Sequence, residues 1–245
     1  MKHVLENLPK VMLMMLFSIF SPSVNITRSG KKTVGNGTLS KEKRAIKFFN
    51  NIHLSGCFEA EICEGDIPSV EIEADENIQG IVKVDVDNNT LEVSTNQPAF
   101  NPTKIKIVVT VDKLDSLHVE GNVDVLVRKS CFSGVLELNA KGVCRLNMDM
   151  NISYLNCNTS GACKLNLRGN VNKGIFNISG ISQLRAVDLD VDRLILKADG
   201  ACECFVNANQ LLHSTVSGLS KVSHKCLENT LVETERSFNS VVEPI

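Results

Sequence analysis

A glycine recurs through the chain at near-constant spacing, and no other feature restricts the fold as strongly. Gly121, Gly142, Gly161, Gly180, Gly200 and Gly218 are separated by 21, 19, 19, 20 and 18 residues. Two positions after each glycine stand Val123, Cys144, Cys163, Ser182, Cys202 and Ser220. Four after stand Val125, Leu146, Leu165, Leu184, Cys204 and Val222; six after, Val127, Met148, Leu167, Ala186, Val206 and His224. The positions four and two before it hold Leu117, Leu138, Cys157, Phe176, Leu196 and Ser214, then Val119, Ala140, Thr159, Ile178, Ala198 and Val216. Gly56 joins the set, with Ile52 and Leu54 before it and Phe58, Ala60 and Ile62 after it. Every second residue is small or apolar and the residues between are mostly polar, which is a strand with one face buried.

One such unit cannot bury its inner face alone. Stacked units bury it jointly, each strand hydrogen-bonding to its equivalent in the next coil about 4.8 Å away. The columns then become ladders of touching side chains. The glycine marks a bend that needs positive φ or close backbone approach. The expected fold is all-β: a parallel β-helix, or β-solenoid, with coils of about 18–21 residues. Hydrophobic residues make up 43% of the 245, enough to fill a continuous core of this kind.

The remaining segments divide the chain. Residues 1–23 read as a secretory leader: Lys2, His3 and Lys10, then the apolar run Val11–Phe20, then Ser21-Pro22-Ser23. An uncleaved anchor and a plain N-terminal helix stay open as alternatives. Residues 24–39 read as a polar linker, 40–226 as the solenoid, and 227–245 as a C-terminal cap or tail. Gly56 to Gly121 spans 65 residues, read as about three coils with an insertion. Within it, strands over Val82–Val86 and Thr90–Val93 flank a hairpin turn at Asp87-Asn88-Asn89, Asn96–Thr103 reads as a loop and Lys104–Val111 as a strand.

The stretches Phe49-Asn50-Asn51-Ile52-His53-Leu54-Ser55-Gly56, Ala60-Glu61-Ile62-Cys63-Glu64-Gly65-Asp66 and Ser69-Val70-Glu71-Ile72-Glu73-Ala74-Asp75-Glu76-Asn77, with serial Ser-Gly units at Ser160-Gly161, Ser179-Gly180 and Ser217-Gly218, resemble the putative auto-transporter adhesin, head GIN domain family of bacterial envelope proteins. The resemblance covers about 34–226. It implies a right-handed parallel β-helix, export, and an adhesin-like or structural role, and it supplies no catalytic residues. The family's turns usually read Ser-Gly-Ala-Gly-Asp; here Cys144, Cys163, Ser182, Cys202 or Ser220 replaces the second glycine.

Composition excludes some functions. With 26 basic and 28 acidic residues mixed along the chain, no field draws nucleic acid or an anionic membrane. One tyrosine and no tryptophan leave few aromatic faces for stacking on sugars. Nine cysteines invite a disulfide or metal reading, but most fall on inward columns, where cysteine acts as a small hydrophobe. Stacked Cys144 and Cys163 are near enough for a disulfide but point the same way. His53, His118, His213 and His224 read as surface or end-cap residues. Glu71, Glu73 and Asp75, with Glu76, and the alternating Asp188, Asp190 and Asp192, read as solvated faces. No catalytic, cofactor or metal site is expected.

Asn139, Asn158 and Asn177, three residues before successive glycines, form the candidate binding face. Stacked amides there either bind a repetitive ligand such as a glycan or bond to one another down the ladder, and the second reading is preferred. The expectation is an exported, non-enzymatic adhesin-like binding or structural module of the cell envelope, in the periplasm or at the cell surface. Its partner is an envelope protein or glycan, and it meets the membrane only through an uncleaved leader. The rivals are a polysaccharide-acting β-helix enzyme, which requires a groove of converging acidic and basic residues, and a scaffold of homo-oligomers joined end to end.

Overall fold

The computed structural model describes residues 34–95, 104–128, 132–237 and 239–245. The expected leader and the expected loop at Asn96–Thr103 lie outside the described residues. The strands are β1 (Leu39–Ala45), β2 (Asn51–Glu64), β3 (Ser69–Asp75), β4 (Val82–Asp87), β5 (Thr90–Thr95), β6 (Lys106–Val111), β7 (Leu114–Arg128), β8 (Phe132–Gly142), β9 (Arg145–Gly161), β10 (Lys164–Gly180), β11 (Gln183–Gly200), β12 (Glu203–Val216), β13 (Lys221–Cys226), β14 (Leu231–Arg236) and β15 (Val241–Pro244). Among the described residues one 3-10 turn, Gln79–Ile81, is the helical content, and no helix is long and apolar enough to cross a membrane.

From β7 to β15 every pairing is parallel, and the chain winds as a β-solenoid. The register follows the glycines: Gly121 lies opposite Gly142, Gly142 opposite Gly161, and Gly180 opposite Gly200. Gly161 shows why. Its φ is +108°, and a Cβ there would lie 2.4 Å from the Gly142 carbonyl oxygen. That same oxygen accepts the Ala162 N–H at 2.7 Å, so the ladder runs unbroken through the bend. A side chain would fail on both counts.

All five inward columns are buried from the Gly121 coil to the Gly218 coil, except at His224 in the last coil. Leu146, Leu165 and Leu184 stack at 0% exposure in one of them. Each such leucine contributes about 1.5–3 kcal/mol relative to an exposed one.

The front of the molecule departs from the expected three coils. Spatial order there differs from chain order. β7 stacks directly on β2, with Gly56 opposite Gly121 and His53 opposite His118. The intervening 65-residue excursion packs on the other side of β2, where β5 pairs with Asn51–Ser55 and β6 with Glu59–Glu64. One further coil is thus inserted beneath β2, and antiparallel strands close it: β3 on β6, β1 on β3, and β4 on β5. At the bend, Thr95 stands below Gly56 and its hydroxyl accepts the Cys57 N–H at 3.2 Å. The hairpin at Asp87-Asn88-Asn89 forms, with Asn88 and Asn89 at φ 46° and 61°, both positive as a two-residue turn of this kind requires.

Beyond Cys226 the ladder continues, although the glycine repeat stops. β14 pairs with β12 and β15 with β13. Asn239, at φ 71°, supplies the left-handed residue of that bend. At the other end, Asn36 and Gly37 donate backbone N–H groups to the side chains of Asn77 and Asp75, which ties down the end of the expected linker.

Candidate binding face

Two outward faces meet at the glycine bend. On the first, the register aligns Glu92, His53, His118, Asn139, Asn158, Asn177, Lys197, Thr215 and Glu235 in one column. Asn139, Asn158 and Asn177 form the expected ladder. Asn158 Nδ2 donates to Asn139 Oδ1 at 3.0 Å, and Asn177 Nδ2 to Asn158 Oδ1 at 2.8 Å. Asn139 Nδ2 in turn donates to Glu137 Oε1 at 3.0 Å. The amides therefore bond down the stack, and each has a further N–H and lone pair that its ladder bonds leave to one side. A second amide step, unforeseen in the sequence, joins Asn166 Nδ2 to Asn147 Oδ1 at 2.7 Å on the second face. Its signal was the pair of asparagines five residues after Gly142 and Gly161.

The second face begins with a charged cluster. Lys104 pairs with Glu59 at 2.8 Å, Lys106 with Glu61 at 2.9 Å, Arg128 with Glu61 at 2.6 Å, and Arg145 with Asp124. These residues line two shallow, open depressions of about 230 and 280 Å³. The hydrogen bond from Lys106, opposed by burial, holds the Glu61 carboxyl below the usual carboxylate range. A general acid needs the opposite shift.

Between the faces runs a ridge absent from the sequence reading. The residue after each glycine is exposed at the bend: Asn122, then the apolar Val143, Ala162, Ile181, Ala201 and Leu219. Ile181 and Leu219 are 75% and 71% exposed, and large and small side chains alternate along the ridge.

The acidic residues are dispersed. Lys41 reaches both Glu71 and Glu73, at 3.4 and 3.1 Å. Asp75, expected on the solvated face, is instead buried at 4% exposure, because it caps the turn at Gly37. Asp190 accepts from Asn207 at 2.6 Å, while Asp188 lies 3.8 Å from Arg168.

The eight described cysteines are free thiols; Cys131 lies outside the described residues. Those two positions after a glycine do more than fill space. Cys144, Cys163 and Cys202 sulfurs lie 3.3, 3.6 and 3.4 Å from the carbonyl oxygens three residues back. Ser182 and Ser240 hydroxyls donate to the equivalent carbonyls at 2.9 and 2.7 Å. Alternation of Cys and Ser in this column was the readable sign that a weak donor is wanted there. The hydrogen bond with Cys163, together with burial, pushes the Cys144 thiol well above its ordinary range, and burial, with a smaller push from Cys163, drives Cys157 up to about 12.

The histidines do not all behave as isolated surface groups. His224 lies 3.3 Å from Cys226 Sγ in the last coils, and His213 faces Glu233 at 3.1 Å. His53 and His118 meet with ring centroids 4.7 Å apart and planes tilted by 55°, and Glu120 completes a group whose ligand atoms all lie within 4.8 Å of one another. Their meeting follows from the direct stacking of β7 on β2.

The sequence profile of the putative auto-transporter adhesin, head GIN domain, matches residues 48–226. Among solved structures, a putative adhesin from Bacteroides fragilis superposes with a TM-score of 0.82 at 20% identity, over 87% of this chain and all of that one. A putative adhesin from Parabacteroides merdae gives 0.71 at 20% identity, over 87% and 98%. A putative lipid binding protein from Parabacteroides distasonis gives 0.72 at 19% identity, over 88% and 100%. At these identities the likeness is one of fold. No curated protein matches the sequence. The profile match covers most of the solenoid, and the chain belongs to the putative auto-transporter adhesin, head GIN domain family.

Proposed function

We propose that the chain is an exported, non-enzymatic binding module of the cell envelope, and that it engages an extended glycan or protein along the Asn139–Asn158–Asn177 face. One observation carries this reading. The ladder hydrogen bonds fix three amides at one-coil intervals, so their outward donors and acceptors repeat at about 4.8 Å without costing side-chain entropy on binding. Such a row suits a polymer whose own polar groups recur along its length. The paired charges of the second face argue against hydrolysis, since Glu61 is held ionised by Lys106 and Arg128.

The test is binding of the full chain to arrays of envelope glycans and to envelope extracts, compared with the Asn139→Ser, Asn158→Ser, Asn177→Ser triple variant. Loss of binding with a retained melting transition supports the face, and unchanged binding removes it. A second reading, end-to-end association, is favoured by β14, where Leu231 and Val232 are 57% and 40% exposed. Sedimentation of a single monomer at high concentration would eliminate it.

A further inference from the structure

The amide column changes character at one end. Two coils before Asn158, the same position is occupied by His118, and the coil below places His53 there. Parallel pairing brings these imidazoles together across one interstrand step of about 4.8 Å. Glu120 follows His118 by two residues, so it projects from the same face of β7. The three side chains form a triangle made by two residues of one strand and one of its neighbour.

Several features of this triangle have no use in the fold. His53 Nε2 is buried with no hydrogen-bond partner. An unsatisfied buried nitrogen is destabilising, and nearby positions show the cheaper solution: asparagine in the next three coils satisfies itself down the stack. Adjacent imidazoles also gain nothing from being charged together. His118 is exposed at the surface, so the group is open on its solvent side.

We propose that His53, His118 and Glu120 form a zinc site with an open coordination position. Two imidazoles and one carboxylate are a recurrent donor set for Zn²⁺, and imidazole selects against the hard ions Ca²⁺ and Mg²⁺. Metal bonds of about 2.0–2.1 Å place tetrahedral ligand atoms about 3.4 Å apart. The atoms here lie within 4.8 Å, so closure requires side-chain tilts rather than backbone movement. Glu120 is held by Lys141 at 3.0 Å, in a pair whose side chains are 41% and 65% exposed. Such an exposed pair is weak, and the lysine stem can swing away when a cation takes the carboxylate. The fourth position is left to water or to an oxygen of a bound partner, on the same face as the amide ladder.

Isothermal titration of the metal-free full chain with Zn²⁺ tests this. The expected result is one ion per chain, with affinity reduced at least about tenfold in His118→Asn and in Glu120→Gln. His118→Asn extends the amide ladder by one coil, and so preserves the fold in which the loss is read. Lys141→Met should tighten binding severalfold by removing the competing cation. Substitution of Co²⁺ adds a signature: tetrahedral visible absorption without the sulfur-to-metal charge-transfer band that a cysteine site would give. The proposal is overturned by absence of binding at millimolar Zn²⁺, by binding unchanged in both His118→Asn and Glu120→Gln, or by a thiolate band.

Discussion

Substituting Gly161 by alanine separates two reasons for the glycine repeat, because the chain contains a matched control. Gly134 has φ +104° and Gly161 has φ +108°, so alanine meets nearly the same backbone penalty at either, about 1–3 kcal/mol. Their surroundings differ. Nothing lies within 4 Å of a Cβ built on Gly134, whereas one built on Gly161 falls 2.4 Å from the Gly142 oxygen and 3.0 Å from its nitrogen. Both are backbone atoms of the coil beneath, so no side chain can rotate aside. Relief requires the coils to separate locally, which breaks the Ala162 N–H bond to Gly142 and leaves a carbonyl poorly satisfied, at a further cost of about 1–3 kcal/mol. Gly161→Ala should therefore be about 2 kcal/mol less stable than Gly134→Ala. At an m-value of about 2 kcal/mol per molar urea, that is a difference of about 1 M in midpoint followed by circular dichroism. Gly80→Ala, with open space and no positive φ, should lie within about 0.5 kcal/mol of the parent. Equal midpoints for the Gly134 and Gly161 variants would refute coil stacking as the reason for the repeat.

Two further outcomes follow from side chains. Cys202→Ser should be nearly neutral, because its column already uses Ser182 and Ser220, while Cys204→Ser, facing Leu184 and Val222, should lose about 1–3 kcal/mol in a thermal melt; equal losses would show that the carbonyl contact at Cys202 is worthless. Glu61 has a lowered pKa in the fold, so its contribution is fully present above the ordinary carboxylate value and disappears as pH falls through the folded one. The stability gap between the parent and Glu61→Gln should accordingly be widest near neutral pH and shrink below about pH 4; a gap that widens in acid contradicts the Lys106 and Arg128 pairing.

The inward columns were legible because two rules coincide: a strand alternates faces at every residue, and a fixed offset from a bend preserves that phase from coil to coil. Val125, Leu146, Leu165 and Leu184 could be assigned to one buried ladder from these rules alone. The hairpin at Asn88-Asn89 was equally local. What stayed hidden depends on order in space. Dividing the 65 residues after Gly56 by the coil length assumes that the chain climbs steadily, yet β5 and β6 slip beneath β2. No local pattern distinguishes a coil added above from one inserted below. The ridge from Val143 to Leu219 escaped for another reason. Its residues sit at the bend itself, where the alternation that sorts inward from outward does not apply. The last coils were obscured because no glycine marks their bend: Asn239 takes the positive φ there, although Ser240 keeps the hydroxyl of the column that Ser182 and Ser220 occupy.

That inserted coil is also what gives the first face its chemistry. A solenoid ladder repeats one environment, and its residues can converge only with their own equivalents and near neighbours. In the middle of the column this yields amides that satisfy one another. Beside the insertion, His53 and His118 belong to coils 65 residues apart in sequence but adjacent in space, and the Glu120 carboxylate lies within reach of both. Three ligating groups thus gather where chain order and spatial order part, while the amides continue away from them along the same stripe. A polymer lying on the asparagines would run toward this group, and its terminal oxygen could fill the position that the protein leaves open. Zinc dependence of glycan binding, lost in His118→Asn but kept in Gly134→Ala, would join the two sites into one surface; binding indifferent to zinc would separate them.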